Sequence, residues 1–221
     1  MIKAIIFDLD GTLLDTVDSM AYSCNKALNF YGFSSIDREN YKYFAGDGAE
    51  MLVKRALKYI DVLDDSNFNN VFNKYKEYFQ IYCTYNVKVY DGIRKLIENL
   101  KQKDIKIAVL SNKPHERTID VVKCFFGENT FDEIQGQLES RRKKPFSDGA
   151  NFIIDKFKVN AEECLLVGDT SVDMKTGKEA NIRTIGVLWG FRTKDELIEN
   201  GAWKIVKNPL EIVEIIGKDG V

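Results

Sequence analysis

Four short apolar runs constrain this chain most: Ile2 to Phe7, Ile105 to Leu110, Cys164 to Val167 and the weaker Thr184 to Leu188. The first is rich in β-branched residues and apolar on both faces, the pattern of a strand buried in a parallel sheet. The first three stop abruptly at polar or small residues: Asp8-Leu9-Asp10-Gly11-Thr12, Ser111-Asn112 and Gly168-Asp169. Helical patterns lie between the runs at Ile93 to Leu100, Pro114 to Phe126, Phe146 to Phe157 and Val172 to Ala180. Strand alternating with helix in this way predicts an α/β fold, a Rossmann-like parallel sheet with helices on both faces.

The stretch 17–87 breaks the alternation. It contains no convincing strand and reads as three or four amphipathic helices. Met20, Cys24, Ala27, Leu28 and Tyr31 share one helical face, and Val71, Phe72, Tyr75, Tyr78, Phe79 and Tyr82 make an aromatic stripe at helical spacing. Such a stripe is more often bundle packing than a ligand box. The expectation is therefore a core domain of residues 1–16 and 88–221, with a helical domain of residues 17–87 inserted after the first strand.

Composition narrows the function classes. The 32 basic and 34 acidic residues leave a net charge of -2, without the one-signed field that nucleic-acid binding usually needs. The run Arg141-Arg142-Lys143-Lys144 is too short to alter that, and taken alone it reads as a solvated loop. Cys24, Cys83, Cys124 and Cys164 lack metal-ligand or redox spacing and read as free thiols in a reducing compartment. Neither a signal peptide nor a stretch long enough to span a membrane is evident, so a cytoplasmic protein with no membrane partner is expected.

In parallel α/β sheets, ligands bind beyond the carboxyl ends of the strands, which directs attention to the polar clusters there. Asp8 and Asp10 are two residues apart, so in extended backbone they point the same way. Two adjacent carboxylates repel unless a cation sits between them or one stays protonated, and hard oxygen donors favour magnesium. A calcium-binding EF-hand is excluded, because it would need Gly at Leu13 and Glu at Ser19. Ser111-Asn112-Lys113 leads into a helix with Pro114 near its first position. There, backbone N–H groups and a hydroxyl can meet phosphate oxygens, although a plain helix cap has the same pattern. Lys144-Pro145 offers an ammonium ahead of another helix. Asp169 and Asp173 follow the third run, either as site carboxylates or as acids complementing a helix dipole. His115, the only histidine, reads as an exposed helix-start residue.

Together and in this order, Asp8-Leu9-Asp10-Gly11-Thr12, Ser111, Lys144 and Gly168-Asp169-Thr170-Ser171-Val172-Asp173 resemble the signature of the haloacid dehalogenase superfamily. The likeness spans nearly the whole chain. It implies Asp8 as nucleophile, Asp10 as general acid and base, and Ser111 and Lys144 as holders of the transferred phosphoryl group. It further implies a magnesium ion bound by Asp8, Asp169 and the backbone carbonyl of Asp10, with Asp173 in support. Lys144 is preferred over Lys143 because it directly precedes Pro145.

The helical insert resembles the cap of the superfamily's first subgroup, which closes over the site and supplies substrate contacts. The loop Phe44-Ala45-Gly46-Asp47-Gly48 is similar to the cap loop of phosphoglycolate phosphatases. Ser111-Asn112-Lys113-Pro114 and Gly186-Val187-Leu188-Trp189-Gly190-Phe191 also match their pattern. Phe146, however, stands where the family usually repeats proline. Substrate contacts implied by the likeness are Gly11, Thr12, Gly46, Asp47, Gly48, Asn112 and Lys113. The expected activity is a magnesium-dependent phosphatase acting on a small phosphorylated metabolite, with 2-phosphoglycolate preferred, in a monomer or homodimer. A pyrophosphatase, a sugar phosphomutase and a non-catalytic phospholigand-binding module remain as alternatives.

Overall fold

The computed structural model describes residues 1–218. Within it the chain forms two compact units, one of Met1–Leu14 together with the chain from Val89 onward, the other of Asp15–Lys88.

The first unit is built on a six-stranded parallel sheet. Its strands are β1 (Ala4–Phe7), β4 (Lys106–Pro114), β5 (Glu133–Gln137), β6 (Cys164–Gly168), β7 (Arg183–Val187) and β8 (Lys204–Val206), in the order β5-β4-β1-β6-β7-β8. Two-residue strands β2 (Leu14–Asp15) and β3 (Lys88–Val89) pair separately. The helices of this unit are α5 (Ile93–Gln102), α6 (His115–Phe126), α7 (Asp148–Phe157), α8 (Ser171–Glu179), α9 (Lys194–Glu199) and α10 (Glu211–Lys218).

Strand β1 lies in the middle because it is apolar on both faces. Ala4 and Ile6 join Ala108, Leu110, Ala150, Ile153 and Leu166 in one core cluster. By the two-residue alternation of a strand, Ile5 and Phe7 point to the opposite face, and both are fully buried. The register Phe7↔Val109 and Phe7↔Val167 sets the end of β1 beside Val109 of β4, which continues beyond it, and beside Val167 near the end of β6.

Several local expectations are corrected. Strand β4 runs past Leu110 as far as Pro114, with a register irregularity between the two, so Ser111, Asn112 and Lys113 lie in the strand rather than at a helix start. Pro114 is the N-cap of α6 and not its first residue. Strands β5 and β8 were not legible as apolar runs: β5, of sequence Glu-Ile-Gln-Gly-Gln, lies at one edge, and three-residue β8 lies at the other. An edge strand has only one neighbour to satisfy and needs less apolar character.

The second unit comprises α1 (Val17–Phe30), α2 (Arg38–Phe44), α3 (Ala49–Tyr59) and α4 (Asp65–Tyr82). Val71, Tyr75 and Phe79 form the buried face of α4 at four-residue spacing, whereas Phe72, Tyr78 and Tyr82 are half-buried. On α1 the buried face holds Met20, Cys24, Ala27 and Leu28; Tyr31 succeeds the helix and is exposed. Asn25 ties α1 to α2 and to the chain ahead of it: its amide donates to the Ile36 carbonyl at 2.9 Å and accepts from Ile36 N at 2.8 Å and Tyr41 OH at 2.8 Å. Among the described residues, no helix is long and apolar enough to cross a membrane.

Candidate active site

Where β1 ends, Asp8 is buried, and its backbone N–H still donates to Val167 O at 2.9 Å, extending the pairing with β6 by one residue. Lys144, also buried, places Nζ 2.7 Å from Asp8 Oδ1 and 2.6 Å from Asp173 Oδ1. The other oxygen of Asp173 accepts from Thr170 N at 3.1 Å and Thr170 Oγ1 at 2.7 Å, the capping box that starts α8. Asp173 thus both caps the start of α8 and pairs with Lys144. Asp169 is fully buried; its Oδ1 accepts from Thr12 Oγ1 at 3.1 Å and its Oδ2 from Phe191 N at 2.8 Å.

Oxygens of Asp8, Asp169 and Asp173 lie within 4.8 Å of one another. Burial pushes the Asp8 carboxyl up to about 7; Lys144 opposes this, while Asp173 and Asp10 add to it. Burial likewise holds Asp169 well above the usual carboxylate range, with Asp8 and Asp173 adding to it and the Phe191 N–H and Thr12 partly offsetting it. Burial disfavours the Lys144 ammonium, but Asp173 and Asp8 outweigh that and raise its pKa. Were all three carboxylates ionised, one ammonium would leave two negative charges uncompensated in a buried site. That imbalance and the hard oxygen donors fit a divalent cation.

The carboxyl of Asp10 does not join this group. Its Oδ1 lies 3.0 Å from Nζ of Lys113, whose side chain is almost wholly buried. The side chain of Asp10 is thus in an ion pair, which leaves its backbone carbonyl as the atom the resemblance assigns to the metal. Lys113, expected among the substrate contacts, pairs with Asp10.

Asn112, also expected among the substrate contacts, is engaged with the Lys144 backbone. Its amide donates to Lys144 O at 3.0 Å and accepts from Lys144 N at 2.8 Å, so β4 clamps the backbone that carries the lysine. Ser111 is buried and its hydroxyl accepts from Lys113 N at 3.2 Å. Gly11 has φ +91°, and a Cβ there would strike the Asp169 carboxylate, 2.7 Å from its carbon and 2.9 Å from Oδ1. Only glycine lets the turn after β1 approach Asp169 so closely. Gly46, Asp47 and Gly48 lie in the helical unit between α2 and α3, where Asp47 pairs with Arg55 and Gly48 is the N-cap of α3.

The basic run is only partly solvated: Arg142 is exposed, Arg141 and Lys143 are half-buried, and Lys144 is buried. Arg141 donates to Gln135 Oε1 at 2.7 Å and stacks over Phe152, 3.7 Å from the ring centre. Arg142 forks onto Asp148 at 2.7 and 2.9 Å. Gln137 donates to the carbonyls of Leu138 and Arg141 at 2.7 and 2.8 Å. The loop bearing Lys144 is thus held along its length from β5 and α7. His115 is half-buried rather than exposed, and its Nδ1 accepts from Gly136 N at 3.1 Å. Of these roles, only the cap by Thr170 had a local signal, a Thr three residues before an acid.

A model of the haloacid dehalogenase-like hydrolases matches residues 5–187, a span that runs from before Asp8 to beyond Asp173 and so includes Asp8, Asp10, Ser111, Lys144, Asp169 and Asp173. The chain belongs to that family. A phosphoglycolate phosphatase of Vibrio parahaemolyticus is 26% identical over 219 residues, covering 97% of this chain and 96% of the relative. One from Aquifex aeolicus is 32% identical over 189 residues, covering 86% of each. A crystal structure from Lactobacillus delbrueckii subsp. bulgaricus, provisionally named a phosphoglycolate phosphatase, superposes with TM-score 0.92 at 31% identity over 97% of this chain and 98% of that one. Within the haloacid dehalogenase-like hydrolases, this member is phosphoglycolate phosphatase-like.

Proposed function

We infer that this phosphoric monoester hydrolase removes phosphate from a small phosphorylated metabolite, 2-phosphoglycolate by preference, through an aspartyl-phosphate intermediate and with magnesium as its cation. The observation that carries the reading is the buried contact of Lys144 with both Asp8 and Asp173 at the end of the central strand, beside Asp169. The phosphoglycolate phosphatases among the relatives support the choice of substrate.

A carboxylate is a poor nucleophile towards a dianionic phosphate until positive charge cancels the repulsion. In the reading proposed, an Asp8 carboxylate oxygen attacks phosphorus and the bond from phosphorus to the leaving alkoxide breaks. Asp10 gives that alkoxide its proton. Water then attacks the phosphoaspartate, Asp10 takes the water's proton, and phosphate leaves with Asp8 restored. Lys144 offsets charge on the nucleophile and on the phosphoryl oxygens, and the Ser111 hydroxyl donates to one of those oxygens. Asn112 and Thr170 act indirectly, the first by fixing the Lys144 backbone and the second by fixing Asp173. A divalent ion held by Asp8, Asp169 and the Asp10 carbonyl would supply Lewis-acid charge neutralisation. Asp173 would support this ion through Lys144.

The test is phosphate release from 2-phosphoglycolate, pyrophosphate and hexose phosphates, each with and without magnesium. Magnesium-dependent preference for 2-phosphoglycolate is expected, together with loss of turnover in Asp8→Asn. Preference for pyrophosphate, or an isomerised sugar phosphate as product, would replace the substrate reading. Undiminished hydrolysis by Asp8→Asn would remove the nucleophile.

A further inference from the structure

The segment after β7, Trp189-Gly190-Phe191, has no part in the proposed chemistry, yet three of its features converge on the site. The Trp189 indole Nε1 donates to Thr12 O at 2.9 Å. The Phe191 N–H donates to Asp169 Oδ2 at 2.8 Å. A Cβ on Gly190 would lie 2.5 Å from Gly11 O and 2.6 Å from Asp169 Oδ2, so the backbone there rests directly on both.

Backbone pairing explains why such a support is needed. Strands β1 and β6 hold each other in register only as far as Phe7↔Val167, with one further bond from Asp8 N. Beyond that point the chain turns through Gly11 and Thr12, and nothing in the sheet ladder sets the distance from this turn to Asp169. Asp169 is also repelled by Asp8 and Asp173, so it keeps its orientation only if donors hold it. Thr12 Oγ1 is one such donor, Phe191 N is the other, and Trp189 in turn holds the carbonyl of Thr12.

We propose that Trp189-Gly190-Phe191 is a positioning element for the cation site: the indole N–H of Trp189 and the bare Cα of Gly190 fix the turn bearing Asp8, Gly11 and Thr12 against Asp169. Trp189 is accordingly a positioning residue for cation binding. The inference rests on the proposal that the carboxylate cluster binds a divalent cation. Partners of this kind, one step removed from a metal ligand, commonly influence affinity by about 10- to 100-fold.

The experiment is calorimetric titration of the metal-free protein with magnesium chloride, without substrate, for wild type, Trp189→Phe, Trp189→His, Gly190→Ala and, as control, Trp203→Phe, at the residue just before β8 whose ring stacks with Arg183. Trp189→Phe keeps an aromatic ring but loses the donor; Trp189→His keeps a ring N–H. Magnesium affinity is expected to weaken about tenfold in Trp189→Phe and Gly190→Ala, with partial recovery in Trp189→His and no change in Trp203→Phe. Thermal melts without metal accompany each titration, and kcat of Trp189→Phe should return towards wild type as magnesium is raised. Equal affinity in wild type and in both folded variants, Trp189→Phe and Gly190→Ala, overturns the inference alone. If wild type itself binds no magnesium, or Asp169→Asn leaves its affinity intact, the cation reading fails, and this inference fails with it.

Discussion

Replacing Asn112 with alanine tests whether the catalytic lysine is held by its own backbone. The substitution removes both hydrogen bonds to Lys144, at 3.0 and 2.8 Å, at a buried position. A buried backbone group left without a partner costs about 1–3 kcal/mol, so losing a partner for both N–H and C=O should destabilise the fold by about 2–6 kcal/mol. That is a large share of the roughly 5–15 kcal/mol typical of a domain. The activity effect comes from geometry. Lys144 Nζ meets Asp8 and Asp173 at 2.7 and 2.6 Å, and a displacement of about 1 Å at such a site can reduce rate about 100-fold. Urea unfolding monitored by circular dichroism gives the first quantity, and phosphate release at saturating substrate gives the second. A direct substrate contact by Asn112 would instead raise KM and leave stability alone. Stability within about 0.5 kcal/mol of wild type and kcat within about twofold would refute the clamp.

Three further outcomes are expected. With its folded pKa raised from 3.8 to about 7, Asp8 favours the fold while protonated; that contribution is whole below about pH 4 and is lost as pH rises through about 7. Metal-free wild type should therefore lose stability over this window, and Asp8→Asn should show a shallower loss in urea midpoints at pH 5 and 7.5; parallel profiles would contradict it. Gly11→Ala combines a positive φ with a collision against Asp169, so a destabilisation of at least about 2 kcal/mol and loss of phosphate release are expected from thermal melts and activity assays. Lys144→Met leaves three buried carboxylates without their ammonium, and turnover should fall by at least about 1,000-fold, with a larger stabilisation by magnesium than in wild type when melts are compared.

The parts of the structure that were legible from sequence share a physical cause. Strands β1, β4, β6 and β7 are apolar because neighbours cover them, and their polar ends mark where the ladder gives way to the site. Asp8, Lys144, Asp169 and Asp173 stood out because charge at the end of a buried strand or beside a helix start needs a reason. The features that escaped were paired over long sequence distances. Nothing local says that the Asn112 amide will find a backbone 32 residues away, or that Arg141 will settle between Gln135 and Phe152. The same holds for His115, whose acceptor role depends on Gly136 in an edge strand without an apolar pattern. The apolar run stops at Leu110, and the continuation of β4 through Ser111 to Pro114 carries no apolar signal.

The position of β1 also bears on how the polypeptide can be made. It leaves the ribosome ahead of its sheet partners, which lie far downstream: Ala4 pairs with Lys106 and Cys164, separations of 102 (106 − 4) and 160 (164 − 4) residues. Until those segments emerge, four residues apolar on both faces and the start of the nucleophile turn have no sheet to enter. At translation rates of about 5–20 residues per second, that interval lasts on the order of ten seconds or more. A nascent chain arrested before residue 164 should bind chaperones through its first ten residues, and release should coincide with the appearance of β6.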